Sequence, residues 1–180
     1  QREQDFSFDD WAAEFMATLD DATRIRLRAD VPFGAFLSGG VDSSTIVGLM
    51  ARHVDRPVKT LCIGFEDPRY DESTFALQAA QRFGCEHTRE IAELNMLANW
   101  PKVLHHLDQP HGDASFMPTL RVSQLAARHV KVVLTGDGGD ELFAGYPTYA
   151  ASKLAARVGP LLPARAWDRI GQSFYRLGSS

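Results

Sequence analysis

Apolar and polar positions recur along the chain with a period that switches repeatedly between that of a helix and that of a buried strand. Trp11, Phe15, Leu19, Ala22, Ile25 and Ala29 follow Asp9 and Asp10 at helical spacing, which predicts an amphipathic helix closed by Pro32. Val31 to Leu37 is an apolar run and predicts a first strand. A helical pattern from Ser44 to His53, ending near Val54, follows with Ile46, Val47, Leu49 and Met50 directed at a core. Val58 to Phe65 (V-K-T-L-C-I-G-F), bounded by Pro57 and a polar loop, reads as a strand buried on both faces. Glu72 to Phe83 reads as a helix stopped by Gly84, and Glu86 to Ile91 as a third strand. Leu94 to Leu107 reads as helical, with Pro101 a kink or a restart. Met117 to Arg128 is a further helix, Val130 to Thr135 a last strand, and Thr148 to Arg157 a helix. Beyond Pro160 and Pro163, the residues Trp167, Ile170, Phe174 and Tyr175 predict one more amphipathic helix.

Strands that alternate with helices in this way predict an α/β fold, a doubly wound parallel sheet with helices on both faces. The punctuation divides the chain into a leading linker and helix over 1–30, a core over 31–150, and a C-terminal helical segment over 151–180 where the domain is expected to be truncated. Phe6 and Phe8 alternate with polar residues and are expected to dock on a neighbouring surface.

Composition narrows the class. Hydrophobic residues make up 44% and charged residues 23% of 180, which is ordinary for one globular domain with a core. A net charge of −4 argues against a nucleic-acid surface, and Arg24, Arg26 and Arg28 read as a solvated face. No apolar stretch reaches the length of a membrane span and no signal peptide is visible, so a cytoplasmic protein with no membrane partner is expected. Cys62 and Cys85 have no metal-type spacing and read as free thiols in a reducing compartment.

Two stretches carry candidate chemistry, and both follow strands, where ligands of doubly wound sheets bind. The first is F-L-S-G-G-V-D-S-S, Phe36 to Ser44. Ser38, Gly39 and Gly40 predict a tight turn that lets the backbone approach a ligand, and the helix start beyond offers free N–H groups to an anion, most plausibly phosphate. There is no Walker lysine and no third glycine of a dinucleotide fingerprint. Asp42 would repel a bare phosphate, and it makes sense if Mg2+ sits between carboxylate and phosphates. A plain strand-to-helix turn with a capping acid is the other reading. The second stretch is T-G-D-G-G-D-E, Thr135 to Glu141. Its clustered acids call for a cation or hydrogen bonds. Asp42 and Asp140 are the candidate Mg2+ ligands, while Asp137 and Asp140 could instead cap a helix starting near Glu141. Asp108, His111 and Asp113 form a polar loop that either contacts a substrate or simply connects helices.

S-G-G-V-D-S-S resembles the signature of the PP-loop ATP pyrophosphatases, the adenine nucleotide alpha hydrolase-like fold, which cleave ATP between the α and β phosphates. With I-G-F, Y-D-E and L-T-G-D-G-G-D-E-L-F-A-G-Y in order, the span from Val31 to Tyr149 resembles the synthetase domain of glutamine-hydrolysing asparagine synthetases. The resemblance implies that ATP adenylates the side-chain carboxylate of aspartate and that ammonia then gives asparagine and AMP. It implies that Ser38, Gly39, Gly40, Asp42, Ser43 and Ser44 hold pyrophosphate, that Leu37 and Ile63 hold adenine and ribose, and that Thr135 and Gly136 contact ATP. Asp137 matches an acid, often Glu in that family, that orients ammonia or takes its proton. Relatives in the family act on other carboxylates, in β-lactam, lasso-peptide and polysaccharide chemistry, and a silent ATP-binding fragment is a further alternative. A sulfur-transfer PP-loop enzyme would want a reactive cysteine at the loop, where Cys62 is poorly placed.

The family's glutaminase nucleophile is the first cysteine of the mature chain, whereas this sequence starts at Gln1, and Lys153 does not match the family's adenylation lysine. The resemblance therefore implies an excised piece that works with an N-terminal glutaminase domain of a parent chain, and that alone binds ATP–Mg2+ weakly and catalyses poorly or not at all. A homodimer is one option for assembly.

Overall fold

The computed structural model describes residues 6–92, 96–109 and 115–159. They form two compact units, one ending at Asp137 and one starting at Gly138. The first unit holds a four-stranded, wholly parallel sheet of β1 (Phe33–Phe36), β2 (Lys59–Phe65), β3 (Glu86–Ala92) and β4 (Val132–Leu134), in the order β3-β2-β1-β4. The chain steps outward from β1 to β2 to β3 and then returns to lay β4 on the other side of β1. The order therefore reverses beside β1, which makes the β1/β4 boundary the topological switch point.

Alternation along β1 decides what packs where. Phe33, Ala35 and Leu37 face a core shared with Val47 and Met50 of α2 (Val41–His53) and Ala76 and Ala80 of α3 (Ser73–Arg82). On the opposite face, Leu61 of β2 packs with Leu125 and Ala126 of α5 (Phe116–Ala127), flanked by Phe36 and Ile63. Helices cover both faces of the sheet, so the central strands read as continuous apolar runs. Val103 of α4 (Trp100–Leu107) joins Phe116 and Met117 in a smaller cluster, with the Trp100 and Phe116 rings edge to face at 5.1 Å. Pro101 lies in the first turn of α4, which follows a 3₁₀ turn at Met96–Asn99, so this proline restarts a helix rather than kinking one.

The leading helix, α1 (Phe8–Arg26), is anchored less deeply than its periodicity suggests. Ser7 and Asp10 form a capping box, with the Asp10 N–H donating to Ser7 Oγ at 3.2 Å and the Ser7 N–H to Asp10 Oδ2 at 3.0 Å. Thr23 is the buried residue of the helix. Attachment is concentrated in the C-terminal half, where Asp20 meets His53 at 3.0 Å and Arg52 at 3.5 Å on α2. Trp11 stays 52% exposed and Phe8 85%, and Phe6 packs edge to face on Trp11 at 4.9 Å rather than on a remote surface. The second unit holds α6 (Gly139–Phe143) and α7 (Pro147–Val158). The helix expected around Trp167 to Tyr175 lies outside the described residues. Among the described residues, no helix is long and apolar enough to cross a membrane.

Burial predicts a sharp contrast in stability. Leu61→Ala, at 1% exposure on the central face, is expected to lower unfolding free energy by about 2–5 kcal/mol. Phe8→Ala, at the exposed end of α1, should change it by less than about 0.5 kcal/mol. Urea midpoints of the two variants check this.

Candidate functional site

The pairing of β1 with β2 runs up to the first motif: the Leu37 N–H donates to the Leu61 carbonyl at 3.0 Å. The chain then turns through Ser38, Gly39 and Gly40. Gly39 has φ +89, and a Cβ there would stand 2.5 Å from Ala76 N and the Phe75 carbonyl carbon. Both the left-handed backbone and the contact with α3 demand glycine. Gly40 is the N-cap of α2 and brings no capping side chain. The neighbouring hydroxyls knit the turn instead. Ser43 Oγ donates to the Gly40 carbonyl and accepts from the Ser38 N–H, each at 3.3 Å, and lies 3.0 Å from Ser38 Oγ.

Helix α2 begins at Val41, ahead of the apolar pattern that starts at Ile46, because its first turn is built from the motif itself. Asp42, Ser43 and Ser44 therefore stand in that first turn. The N–H groups of Val41, Asp42 and Ser43 have no acceptor within the helix, and the positive end of the helix dipole adds to them. This helix start is a candidate anion seat, with Asp42 in its first turn. Ser44 Oγ is buried without a hydrogen-bond partner in the structure.

β4 delivers Thr135 and Gly136 to the same place. A Cβ built on Gly136 would stand 2.5 Å from Ser43 N and 2.7 Å from the Asp42 carbonyl carbon. Gly136 thus lies directly on the first turn of α2, backbone against backbone. Asp137 follows as an exposed turn residue at the end of the first unit.

Asp140 belongs to the second unit, in the first turn of α6, whose N-cap is Gly138 rather than either neighbouring acid. There the Gly145 N–H donates to the Asp140 carbonyl at 3.0 Å, and a Cβ at Gly145 would run into Asp140 Oδ1. The Tyr146 hydroxyl donates to Glu141 Oε1 at 2.7 Å, and this carboxylate partner pushes Tyr146 up to about 12. Lys153 lies on α7 of the same unit. Asp108 caps α4 in the left-handed region at φ 56, while His111 and Asp113 lie outside the described residues.

Beyond the C-terminal ends of β1 and β2 opens a cavity of about 220 Å³ that begins at Ser38. Leu37 and Ile63 both line it, with Phe36 and Val122 adding apolar wall. Sequence reasoning missed Phe65, Tyr70, Glu72 and Thr119, which also line it; the Y-D-E stretch was the one signal that pointed there. Cys62 lines it as well, buried, with its thiol donating to the Ile63 carbonyl at 3.5 Å. Burial pushes this thiol up to about 11, with Asp71 adding to the rise and Arg89 opposing it. A thiol so placed is a wall residue, not a nucleophile.

The donor set bears on a cation. Among the described residues, no three His, Cys, Asp or Glu side chains group to hold a metal ion by themselves. Mg2+ that arrives with a nucleotide needs only one or two carboxylates besides phosphate oxygens, so Asp42 at the anion seat fits such an ion.

A parallel sheet whose order reverses beside a glycine–serine loop, with α2 springing from that loop, is the architecture of the PP-loop, adenine nucleotide alpha hydrolase-like proteins. A glutamine-dependent NAD+ synthetase from Acinetobacter baumannii, solved with ADP, shares this fold with a TM-score of 0.54 at 20% identity, over 81% of this chain and 29% of that one. The family model for asparagine synthase matches residues 14–179, and the chain belongs to that family. It is 45% identical over 138 residues to a Methanocaldococcus jannaschii protein provisionally named asparagine synthetase (glutamine-hydrolyzing) 2, covering 73% of this chain and 26% of that protein. It is 38% identical over 130 residues to asparagine synthetase (glutamine-hydrolyzing) 1 of Bacillus subtilis, covering 72% of this chain and 20% of that one. The chain therefore spans between a fifth and about a quarter of the length of these relatives.

Two outcomes are expected from this geometry. Gly136→Ala forces a methyl into the Ser43 backbone and should lower stability by about 1–3 kcal/mol, read from urea midpoints. Iodoacetamide should alkylate Cys62 at pH 8 roughly a hundredfold more slowly than an unperturbed thiol, the rate climbing with pH toward about 11, followed by mass spectrometry.

Proposed function

We propose that this chain is the ATP-binding part of an amide-forming ligase that activates the side-chain carboxylate of aspartate as an acyl-adenylate, releasing pyrophosphate, for attack by ammonia to give asparagine and AMP. The observation that carries the reading is the contact of Gly136 with the first turn of α2, which joins the two motifs on one anion seat at the switch point of the sheet. Membership of the asparagine synthase family supports the amide-ligase class.

On this reading the residues divide the work as follows. The N–H groups of Val41, Asp42 and Ser43 take the phosphates, Ser38 and Ser43 offer hydroxyls around them, and Ser44 completes the motif with its hydroxyl buried. Gly39 and Gly40 keep that approach open. Leu37 and Ile63 present the adenosine end of the cavity, and Thr135 with Gly136 closes the side nearest β4. A Mg2+ ion bound with ATP would take a carboxylate from Asp42 and supply positive charge against the phosphate oxygens, and Asp140, in the second unit, is the other carboxylate the sequence offers for it. Fixed N–H donors stabilise the charge that builds as pyrophosphate leaves, an electrostatic effect on the order of several kcal/mol. Asp137, an exposed turn residue just past β4, would orient ammonia or take its proton. Splitting amide formation through the adenylate replaces one difficult displacement with two easier ones. Ammonia would come from glutamine hydrolysis, the reaction that the names of the relatives give, in an N-terminal glutaminase domain of the parent chain.

Phosphorus NMR of this chain with ATP–Mg2+, aspartate and ammonium tests the proposal. AMP and pyrophosphate should accumulate, slowly, only when aspartate is present. AMP formed without regard to aspartate would move the substrate to another carboxylate. ADP with orthophosphate would sink the α/β cleavage reading altogether.

A further inference from the structure

The Y-D-E stretch has no role in the phosphate chemistry, yet its central residue is among the most heavily bonded side chains of the first unit. Asp71 Oδ1 accepts from the Phe65 N–H at 3.3 Å and from the Ser73 N–H at 3.2 Å. Its other oxygen accepts from Arg89 Nη2 at 3.1 Å. One carboxylate thereby ties the last residue of β2 to the first residue of α3 and to β3. The ion pair is not a loose surface contact, because the Asp71 side chain is only 17% exposed. Hydrogen bonding from Ser73 holds its carboxyl below the usual carboxylate range, with smaller help from the Phe65 N–H and the Arg89 cation.

The strand makes room for this arrangement. A Cβ on Gly64 would stand 2.7 Å from Arg89 Nε and 2.9 Å from Asp71 Oδ1. Glycine in the I-G-F stretch is what lets the guanidinium lie across the end of β2 and reach the carboxylate. The three residues around this knot, Phe65, Tyr70 and Glu72, all line the cavity next to the anion seat. Asp71 itself does not line it.

We infer that Asp71, held by Arg89 over Gly64, is a positioning residue that fixes the Phe65–Tyr70–Glu72 wall of the cavity to receive the nucleoside half of the nucleotide. The inference rests on the nucleotide reading above and adds to it how the nucleoside end is set. The phosphate end is built by the turn at Ser38–Gly40 and by α2; it meets α3 at Gly39, packed on Phe75 and Ala76, and none of its hydrogen bonds involves Asp71. A wall preset by bonds behind it lowers the ordering that binding would otherwise require.

The separation of the two ends supplies the test. Calorimetric titration of this chain with ATP–Mg2+, AMP and inorganic pyrophosphate compares wild type with Asp71→Asn and Arg89→Gln, with circular dichroism and thermal melts to confirm folding. Asp71→Asn should weaken AMP and ATP about tenfold and leave pyrophosphate within about twofold. Arg89→Gln, at a 43% exposed side chain that tolerates replacement, should give the same selective loss, and the double variant should lose little more than either single one. Equal weakening of AMP and pyrophosphate would mean that Asp71 only supports the fold, and would overturn the inference. So would variants that bind AMP as wild type does. A wild-type chain that binds neither ATP nor pyrophosphate would instead overturn the nucleotide reading itself.

Discussion

Gly136 lies so close to Ser43 that no side chain can stand between the two backbones. That contact is the constraint on which the rest of the first unit depends. It exists only because β4 returns to the flank of β1, which places the ends of two strands far apart in sequence side by side. An isolated Gly-Ser turn before a helix would still be an anion seat, but an open one. With Gly136 laid against it, that helix end has a second side. The geometry of the site is therefore a consequence of sheet order before it is a property of any side chain.

The sheet can hold that order because β1 is buried from both faces by different helices. Phe33, Ala35 and Leu37 commit one face to α2 and α3, while Phe36 faces the α5 side. A one-residue slip of β1 would exchange these faces and turn Leu37, which is 1% exposed, out of its core. It would also carry the Leu37 N–H away from the Leu61 carbonyl and shift the glycine turn relative to α3. Register, core and loop position are in this sense one specification.

Much of this was legible in the residues. Buried parallel strands read as apolar runs, so β2 was plain from V-K-T-L-C-I-G-F, and the glycine turns announced the strand ends. The first turn of α2 is legible in the glycine–serine motif itself, although apolar periodicity begins only at Ile46 and a glycine cap has no side chain to signal with. The stripe on α1 was read correctly as helical, but periodicity says which residues share a face and not what covers them, and Trp11 is half exposed. Leu37 and Ile63 came from resemblance and do line the cavity. The far wall, from Tyr70 to Val122, was hidden because it is assembled from a loop and from α5, and the bond from Asp71 to Arg89 depends on the register that sets Cys62 opposite Arg89.

The placement of Asp42 contains a conflict that the fold does not resolve alone. An acid in the first turn of a helix is favourable by about 0.3–1 kcal/mol, because it meets the positive end of the dipole and the free N–H groups. A phosphate bound at the same N-terminus competes for the same field and is repelled by the same carboxylate. Without a ligand, Asp42 stabilises α2; with a bare phosphate it would oppose binding. A divalent cation between the two removes the repulsion and leaves both anions attracted to the helix end. On the reading proposed here, the acid that steadies the empty helix is also the one that makes phosphate binding conditional on the metal.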